Sequence, residues 1–185
     1  MFLPFRWHTV RLEPDTEGAG EYTGATGTYC ERLVESPPGS KTIFMTGNCS
    51  GELFPQIGQN GAPPAPLPEM YIQRAGKSRE DLEILKTVDM TEVFHGDLLI
   101  SKATGGAGWG NPLDRSPEMV KEDVEEMKVS VGRAKNVYGV VLDPESLEID
   151  DKATKELRAT LRDQPLYRDI DLVLNDVRDG KISTA

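Results

Sequence analysis

The sequence predicts an α+β protein with a β-rich N-terminal body, a glycine-rich loop and a helical C-terminal tail. Turn-forming residues concentrate early: 15 of the 18 glycines and ten of the 13 prolines lie at or before Pro112. Short β-branched or aromatic runs separate them, which is typical of strands joined by turns. After Pro112, apolar residues recur at helical spacing. We therefore expect a β-rich domain over 1–112 and a helical segment over 113–185 that docks on the body or on a partner subunit.

Five strands are predicted in the N-terminal part, each a run of β-branched or aromatic residues between turn residues. They cover residues 8–12, 27–34, 41–46, 69–73 and 97–102. His95, Gly96 and Asp97 form a predicted turn into the last of these. The proline-rich stretch 63–68 is predicted to be a connector, because proline cannot donate a ladder hydrogen bond.

The helical tail begins at Ser116, a predicted N-cap that is followed by proline and an acidic residue. One helix face should carry Val120, Val124, Met127 and Val131. A second helix is predicted over 130–138, ending at Gly139. Further helices are predicted over 151–162 and 166–178. Two apolar segments, 140–142 and 170–174, either close the chain's own core or form a surface for a partner, and the sequence leaves both readings open.

Composition and charge exclude several classes of protein. The chain has a net charge of −10 and a pI near 4.7, and acidic residues outnumber basic ones on both sides of Pro112. No cluster of basic residues is present, so neither nucleic acid nor an anionic membrane surface is an expected partner. No apolar run approaches membrane-spanning length, and the N-terminal run is too short for a signal peptide. We therefore expect a cytoplasmic protein in which Cys30 and Cys49 are reduced and carry no metal.

The most prominent motif is the glycine-rich stretch 104–112, which follows a predicted strand and precedes a helix. Such a stretch could hold a phosphate, but the Gly-Lys-Ser/Thr of a P-loop is missing. A dinucleotide site is also disfavoured, since no second βαβ unit appears. The alternative is that glycine permits unusual backbone conformations and lets Trp109 pack closely. We expect this loop to lie near a substrate chamber or an interface, through Gly105, Gly106, Gly108, Trp109, Gly110 and Asn111.

No other constellation of residues indicates an active site. His8 and His95, the only two histidines, are predicted in a strand and in a turn, where surface or core roles are expected. No Gly-x-Ser-x-Gly elbow is present, and neither cysteine lies in a catalytic signature. The paired carboxylates on predicted helices are typical of solvated faces. The sequence therefore predicts no catalytic residue, no cofactor-binding residue and no metal ligand.

From about Trp7 to about Leu161 the chain resembles the C-terminal region of the hydantoinase B / 5-oxoprolinase family. The resemblance rests on Gly-Asp-Leu-Leu-Ile at 96–100, on the loop and following residues at 105–115, and on 117–124 and 129–143, which include a Tyr-Gly-Val turn. Residues 11–22 resemble the family's Asp-Ser-Gly-Gly-Ala-Gly segment. The family's Arg-Gly-Gly is Thr-Gly-Ala here at 23–25, and its Gly-Gly step is Gln-Asn-Gly at 59–61.

The resemblance implies a small separate subunit of an enzyme complex, since family members carry roughly several hundred residues ahead of this region. It implies two partners, a large hydantoinase B-like subunit and a hydantoinase A-like subunit that binds ATP. ATP and a divalent metal are expected on those subunits, and no cofactor on this chain. The implied reaction is carboxylation of a ketone such as acetophenone with bicarbonate. The alternatives are hydrolysis of a cyclic amide by a hydantoinase or 5-oxoprolinase complex, and a non-enzymatic binding module.

Overall fold

The computed structural model describes residues 4–37, 39–40, 42–47, 55–85, 88–162 and 164. The predicted α+β class is confirmed. The strands are β1 Phe5–Leu12, β2 Thr28–Val34, β3 Thr42–Gly47, β4 Glu69–Gln73, β5 Glu83–Ile84, β6 Val88–Val93 and β7 Leu98–Lys102. The helices are α1 Pro117–Glu125, α2 Val131–Asn136 and α3 Asp151–Arg162, and a short 3₁₀ helix spans Pro112–Asp114.

The described residues form two compact units that do not follow chain order. The first, which we call the strand unit, lies within residues 1–12, 28–54 and 68–103. The second, the glycine–helix unit, lies within 13–27, 55–67 and 104–185. Glycine-rich segments that precede Pro112 thus belong with the helices that follow it. The predicted division into domains at residue 112 stays a prediction.

The strand unit contains a five-stranded antiparallel sheet in the order β1-β2-β7-β4-β5 and a separate antiparallel pair, β3 and β6. Alternate residues of a strand point to opposite faces, so one face of each strand can be apolar. Its core is made of the fully or almost fully buried side chains Val34, Ile72, Leu85, Val93 and Leu99. Phe5, Phe44 and Met70 pack against this cluster.

In the glycine–helix unit, two of the helices begin at serine caps. Ser116 Oγ accepts a hydrogen bond from the backbone N–H of Met119 at 3.1 Å, and Ser130 Oγ accepts one from Arg133 N–H at 3.0 Å. Each cap satisfies one of the amide groups that the first turn leaves unpaired. Helix α2 is followed by Gly139, which has φ +63°, as the predicted glycine stop requires.

All five predicted strands are confirmed, with shifts of a few residues at their ends. The sequence did not predict β5 and β6. The first is only two residues long, and the second contains Asp89 and Glu92, which strands disfavour. The predicted helices 130–138 and 151–162 are confirmed in position, and the proline-rich stretch 63–68 forms neither helix nor strand. The predicted helix 166–178 and the apolar segment 170–174 lie outside the described residues, as does Cys49.

Two predictions about apolar residues are settled by the structure. Met127 was expected on the apolar face of the first helix, and this was wrong: α1 ends at Glu125, and Met127 takes the left-handed conformation with its side chain exposed. Val140 and Leu142 close the chain's own core, where they pack in one buried cluster with Ala19, Val120, Val129, Ala134 and Tyr138. Within the described part of the chain, no helix is long and apolar enough to cross a membrane.

Candidate functional site

Two glycine-rich segments, 16–25 and 104–110, lie directly against each other in the glycine–helix unit. Their backbones are joined by hydrogen bonds from Gly105 N–H to Thr16 O at 2.8 Å, from Gly18 N–H to Gly106 O at 2.8 Å, and from Gly106 N–H to Ala25 O at 2.9 Å. We call this arrangement the glycine contact. It lets two loops share backbone hydrogen bonds although neither segment is a regular strand.

The glycine contact requires residues without side chains. A Cβ added to Gly24 would lie 1.9 Å from Gly106 O, and one added to Gly105 would lie 1.9 Å from Ala25 O. Both neighbours are backbone atoms, which cannot rotate away as a side chain can. These glycines are therefore needed for close approach of two backbones, which is one of the ordinary reasons for glycine in a loop.

Trp109 pairs through its backbone with two other segments. Its N–H donates to Tyr22 O at 2.9 Å, and residues 59 and 109 form an isolated bridge. The indole ring lies beside the Tyr22 ring with a centroid separation of 5.6 Å and is 45 % exposed. A Cβ added to Gly20 would lie 2.6 Å from Trp109 O, so glycine does let the Trp109 backbone pack closely, while its side chain stays at the surface.

The remaining residues of the predicted loop are buried or partly buried and support the local fold. Gly105, Gly108 and Gly110 are buried, whereas Gly106 and Asn111 are partly buried. Gly110 has φ +77°, a conformation that favours glycine. The Asn111 side-chain oxygen accepts a hydrogen bond from Leu113 N–H at 2.9 Å and so caps the 3₁₀ helix.

A polar cavity of about 200 Å³ lies within the glycine–helix unit. Its walls are formed by Glu17, Thr23, Gly24, Ala25, Thr26, Arg115, Asp123, Lys128 and Val129. The loop residues 105–111 are not among them, but they hold Gly24 and Ala25 in place through the glycine contact. The placement of this loop near a substrate chamber stays a prediction.

Glu17 is the most deeply buried charged residue of this cavity wall, with a relative exposure of only 2 %. One carboxylate oxygen, Oε1, accepts hydrogen bonds from Arg133 Nε at 2.6 Å and from the Tyr138 hydroxyl at 2.9 Å. The other, Oε2, has no hydrogen-bond partner. Burial raises the pKa of Glu17, and the guanidinium of Arg133 and the hydroxyl of Tyr138 oppose that rise only in part. A carboxyl group in this state can release or take up a proton nearer to neutral pH than an exposed one.

Arg115 and Asp123 form a buried ion pair in the same wall. Arg115 Nε lies 3.0 Å and Nη2 lies 2.9 Å from the same Asp123 oxygen, Oδ2. Arg115 Nη1 also donates to the backbone oxygen of Glu21 at 2.9 Å. Asp123 lies on α1 and Arg115 lies just before its cap. The pair therefore joins the start of α1 to the body of the helix and to the glycine-rich segment.

Lys128 is the most exposed charged group of the cavity wall. Its ammonium group forms an ion pair with Glu126, and the hydrogen bond between them raises the pKa of Lys128. The wall therefore has a carboxyl group of raised pKa, a buried ion pair, a partly exposed ammonium group and two threonines. With a volume below that of most drug-sized sites, the cavity suits a small polar molecule.

The histidines take the places expected for them. His95 lies in the turn before β7, with Nδ1 3.0 Å from Ser36 O, and the His8 side chain is largely exposed on β1. Among the described residues, no three histidine, cysteine, aspartate or glutamate side chains come together in a way that could hold a metal ion.

Sequence reasoning missed Glu17, Arg115 and Asp123. Glu17 and Arg115 each lie close to a glycine-rich stretch, but both have other charged residues as neighbours, so no local pattern singled them out. Their partners are far away along the chain: Glu17 and Arg133 are 116 positions apart. A pairing over such a distance cannot be deduced from spacing.

Comparison with known proteins connects this fold to enzyme subunits. The chain is 33 % identical to the caprolactamase subunit beta of Pseudomonas jessenii over 159 residues, which are 84 % of this chain and 26 % of that protein. It is 30 % identical to the acetone carboxylase alpha subunit of Xanthobacter autotrophicus, over 86 % of this chain and 24 % of that protein. The chain thus spans about a quarter of the length of these relatives.

Solved structures show the same fold. The crystal structure of the ATP-dependent caprolactamase from Pseudomonas jessenii matches with a TM-score of 0.68 and 26 % identity over 84 % of this chain and 26 % of that one. A nucleotide-free acetone carboxylase matches with a TM-score of 0.68 and 22 % identity over 97 % of this chain and 28 % of that one. The family model for hydantoinase B/oxoprolinase matches residues 2–112, more than half of the sequence. The chain belongs to the hydantoinase B/oxoprolinase family.

Proposed function

We propose that this chain is a subunit of a larger ATP-dependent enzyme complex, in which it has a structural or site-completing role. The observation that carries the proposal is the similarity to caprolactamase and acetone carboxylase subunits over more than four fifths of the chain. The matched region is about a quarter of each relative, and we propose that partner subunits complete the complex. We expect these to be a large hydantoinase B-like subunit and a hydantoinase A-like subunit.

Our first candidate reaction is the carboxylation of a ketone with bicarbonate. Two relatives support it by name: the acetone carboxylase alpha subunit, and the acetophenone carboxylase delta subunit of Aromatoleum aromaticum, which is 26 % identical over 80 % of this chain and 25 % of that protein. The second candidate is hydrolysis of a cyclic amide, which the 33 % identity to a caprolactamase subunit favours. Both kinds of substrate carry a carbonyl group whose oxygen ATP could activate, so one complex architecture could serve either.

ATP and a divalent metal are proposed to bind to the partner subunits. This chain would contribute the loop residues 105–111, with the exposed Trp109 ring, to an interface or to the edge of a substrate chamber. A non-enzymatic binding module of the same fold is the remaining alternative.

The test is to reconstitute the chain with the hydantoinase A- and B-like chains of its own cell and to measure ADP release. Release that needs acetone or acetophenone together with bicarbonate would assign ketone carboxylation. Release that needs caprolactam, hydantoin or 5-oxoproline would assign cyclic-amide hydrolysis. A complex with equal turnover in the presence and absence of this chain would contradict a site-completing role.

A variant tests the loop within the same experiment. Trp109→Ala should lower assembly or turnover, because the exposed indole is the largest apolar group of the loop. The matched control is Phe94→Ala, which removes another aromatic ring that is 45 % exposed but lies in the strand unit, away from the loop sequence. Full turnover and normal complex size in Trp109→Ala would contradict the proposed position of the loop.

A further inference from the structure

The apolar face of the five-stranded sheet extends onto its edge strand, β1. Directly opposed residues of neighbouring antiparallel strands lie on the same face. In the register of β1 and β2, Phe5 faces Val34, Trp7 faces Arg32, Val10 faces Cys30 and Leu12 faces Thr28. The four β2 residues in this set alternate along the strand and therefore share one face. The irregularity in β1 between Trp7 and Thr9 keeps Val10 and Leu12 on that face as well.

Among the described residues of the strand unit, only those at one end of this face cover it. Val34 lies in the core cluster, with Phe5 and Phe44 packed against it. Farther along the same face, Trp7 and Val10 are each 61 % exposed and Leu12 is 60 % exposed. We call Trp7, Val10 and Leu12 the β1 face. Large apolar side chains that adjoin one another on the surface, as these do, are typical of interaction sites.

Arg32 lies where the covered and exposed parts of the face meet. Its guanidinium carbon is 5.7 Å from the Trp7 ring centroid and 5.6 Å from the Phe44 ring centroid. Its Nε is buried and has no hydrogen-bond partner, and no described carboxylate pairs with it. Burial lowers the pKa of Arg32. Arg32 as a whole is half-buried, and two aromatic rings compensate such a charge only in part, so Arg32 lacks the acceptor that a charged group in this setting normally has.

We propose that the β1 face and Arg32 form a docking surface for the large partner subunit of the complex, and that this subunit contributes apolar side chains and one carboxylate that pairs with Arg32. The inference rests on the proposed function. The charge of the occupant follows from Arg32, because no described carboxylate pairs with this guanidinium and a carboxylate from a partner could accept hydrogen bonds from its N–H groups. The kind of occupant follows from the proposed function: in the relatives the matched region is part of a chain about four times as long, and the proposed large subunit would supply the remainder.

The experiment is co-expression of the tagged full-length chain with the hydantoinase A- and B-like chains of its cell, followed by affinity purification and intact mass measurement. Val10→Asp should reduce the recovered partner by about tenfold or more, as a charge in an apolar interface does. The matched control is Ile84→Asp on β5, at the opposite edge of the sheet, where the side chain is 74 % exposed and recovery should not change. Leu12→Asp is a second variant on the β1 face.

Arg32→Leu separates docking from folding. If a partner carboxylate pairs with Arg32, this variant should lose about tenfold or more of the recovered partner. The free variant chain should melt no lower than the wild type, because a half-buried charge without an ion-pair partner has been removed. Lower melting with unchanged partner recovery would show that Arg32 serves the fold alone and would overturn the role assigned to it.

The other outcomes are distinct. If the wild-type chain recovers no such partner, the proposed function fails and the docking surface fails with it. If the wild type and all β1-face variants recover the partner equally, only the docking surface is overturned. A lower melting temperature in Val10→Asp that disappears when the chain ends at residue 164 would assign the face to the chain's own C-terminal segment. A dimer of the free chain that Val10→Asp abolishes would assign it to a second copy. Either result would overturn the proposal.

Discussion

Replacing Gly24 by alanine should open the glycine contact, because the new methyl group would sit 1.9 Å from the backbone oxygen of Gly106. An ordinary carbon–oxygen contact needs well over 3 Å, as real Cβ atoms essentially never come closer than 3.0 Å to such neighbours. The two segments would therefore have to move apart by more than about an ångström. The hydrogen bonds from Gly18 to Gly106 and from Gly106 to Ala25 would be lost or stretched.

The magnitude follows from these two effects. Overpacking of a rigid site costs about 1–3 kcal/mol, and two lost backbone hydrogen bonds cost about 1 kcal/mol each. Together they should lower the free energy of unfolding by about 3–5 kcal/mol, a large part of the typical total of about 5–15 kcal/mol. For a chain of this length, the melting temperature should fall by about 6–20 °C.

The assay is urea and thermal unfolding followed by circular dichroism. Gly132→Ala is the matched control, because a Cβ there meets only Ser130 Oγ at 3.7 Å. It lies in α2, where alanine should stabilise the helix by about 0.5–1 kcal/mol. If the free energy of unfolding of Gly24→Ala lay within about 0.5 kcal/mol of the wild-type value, the two backbones could separate at almost no cost and the glycine contact would not be needed for stability.

Three further predictions concern buried charges. Arg115→Met should lower the free energy of unfolding by about 3–5 kcal/mol, because Asp123 stays buried without its counter-ion. A double-mutant cycle with Asp123→Leu should show that the two substitutions are coupled, and additive effects on the free energy of unfolding would contradict the ion pair. Burial alone would raise the pKa of Glu31, but hydrogen bonds from Tyr29, Arg79 and Thr9 outweigh it and lower the pKa below 4.5. Its stabilising effect is therefore present above pH 4.5 and lost as pH falls through the folded pKa. Urea titrations at acid pH should show a smaller loss of stability in Glu31→Gln than in the wild type, and an equal loss in both would count against these hydrogen bonds to Glu31. Glu17 should behave in the opposite way, since its pKa is raised: the protein should lose stability as pH rises from 4.5 through the folded pKa of Glu17. Glu17→Gln should remove this pH dependence of the free energy of unfolding. If the variant keeps the same pH dependence, another group titrates in that range.

The fold class and most elements could be predicted because their causes are local. Ser116 and Ser130 predicted helix starts, and their side chains make the expected cap bonds. Alternation and turn residues predicted five strands. The course of α1 beyond Glu125 could not be predicted, because hydrogen bonds from Lys128 and Val129 to Asp123 O end the helix and place Met127 outside the apolar face. No local pattern carries that information.

Of the candidate site, the sequence predicted only the glycine-rich backbone segment and none of the charged side chains. The glycines at 105–110 stood out in the sequence, but their contact with residues 16–25 joins segments about 85 positions apart, and loop closure over that distance leaves no spacing signal. The same holds for Glu17 with Tyr138, which are 121 positions apart. Sequence reasoning predicted the loop that supports the cavity but none of the charged groups in its wall.

If this chain works inside a larger complex, the intact mass of the assembly recovered with the tagged chain from its native cell will show it. We predict stoichiometric recovery of large hydantoinase A- and B-like chains in one particle that turns over ATP. Recovery of a lone, well-folded monomer of 20.4 kDa would contradict the claim and would favour a binding module of the same fold.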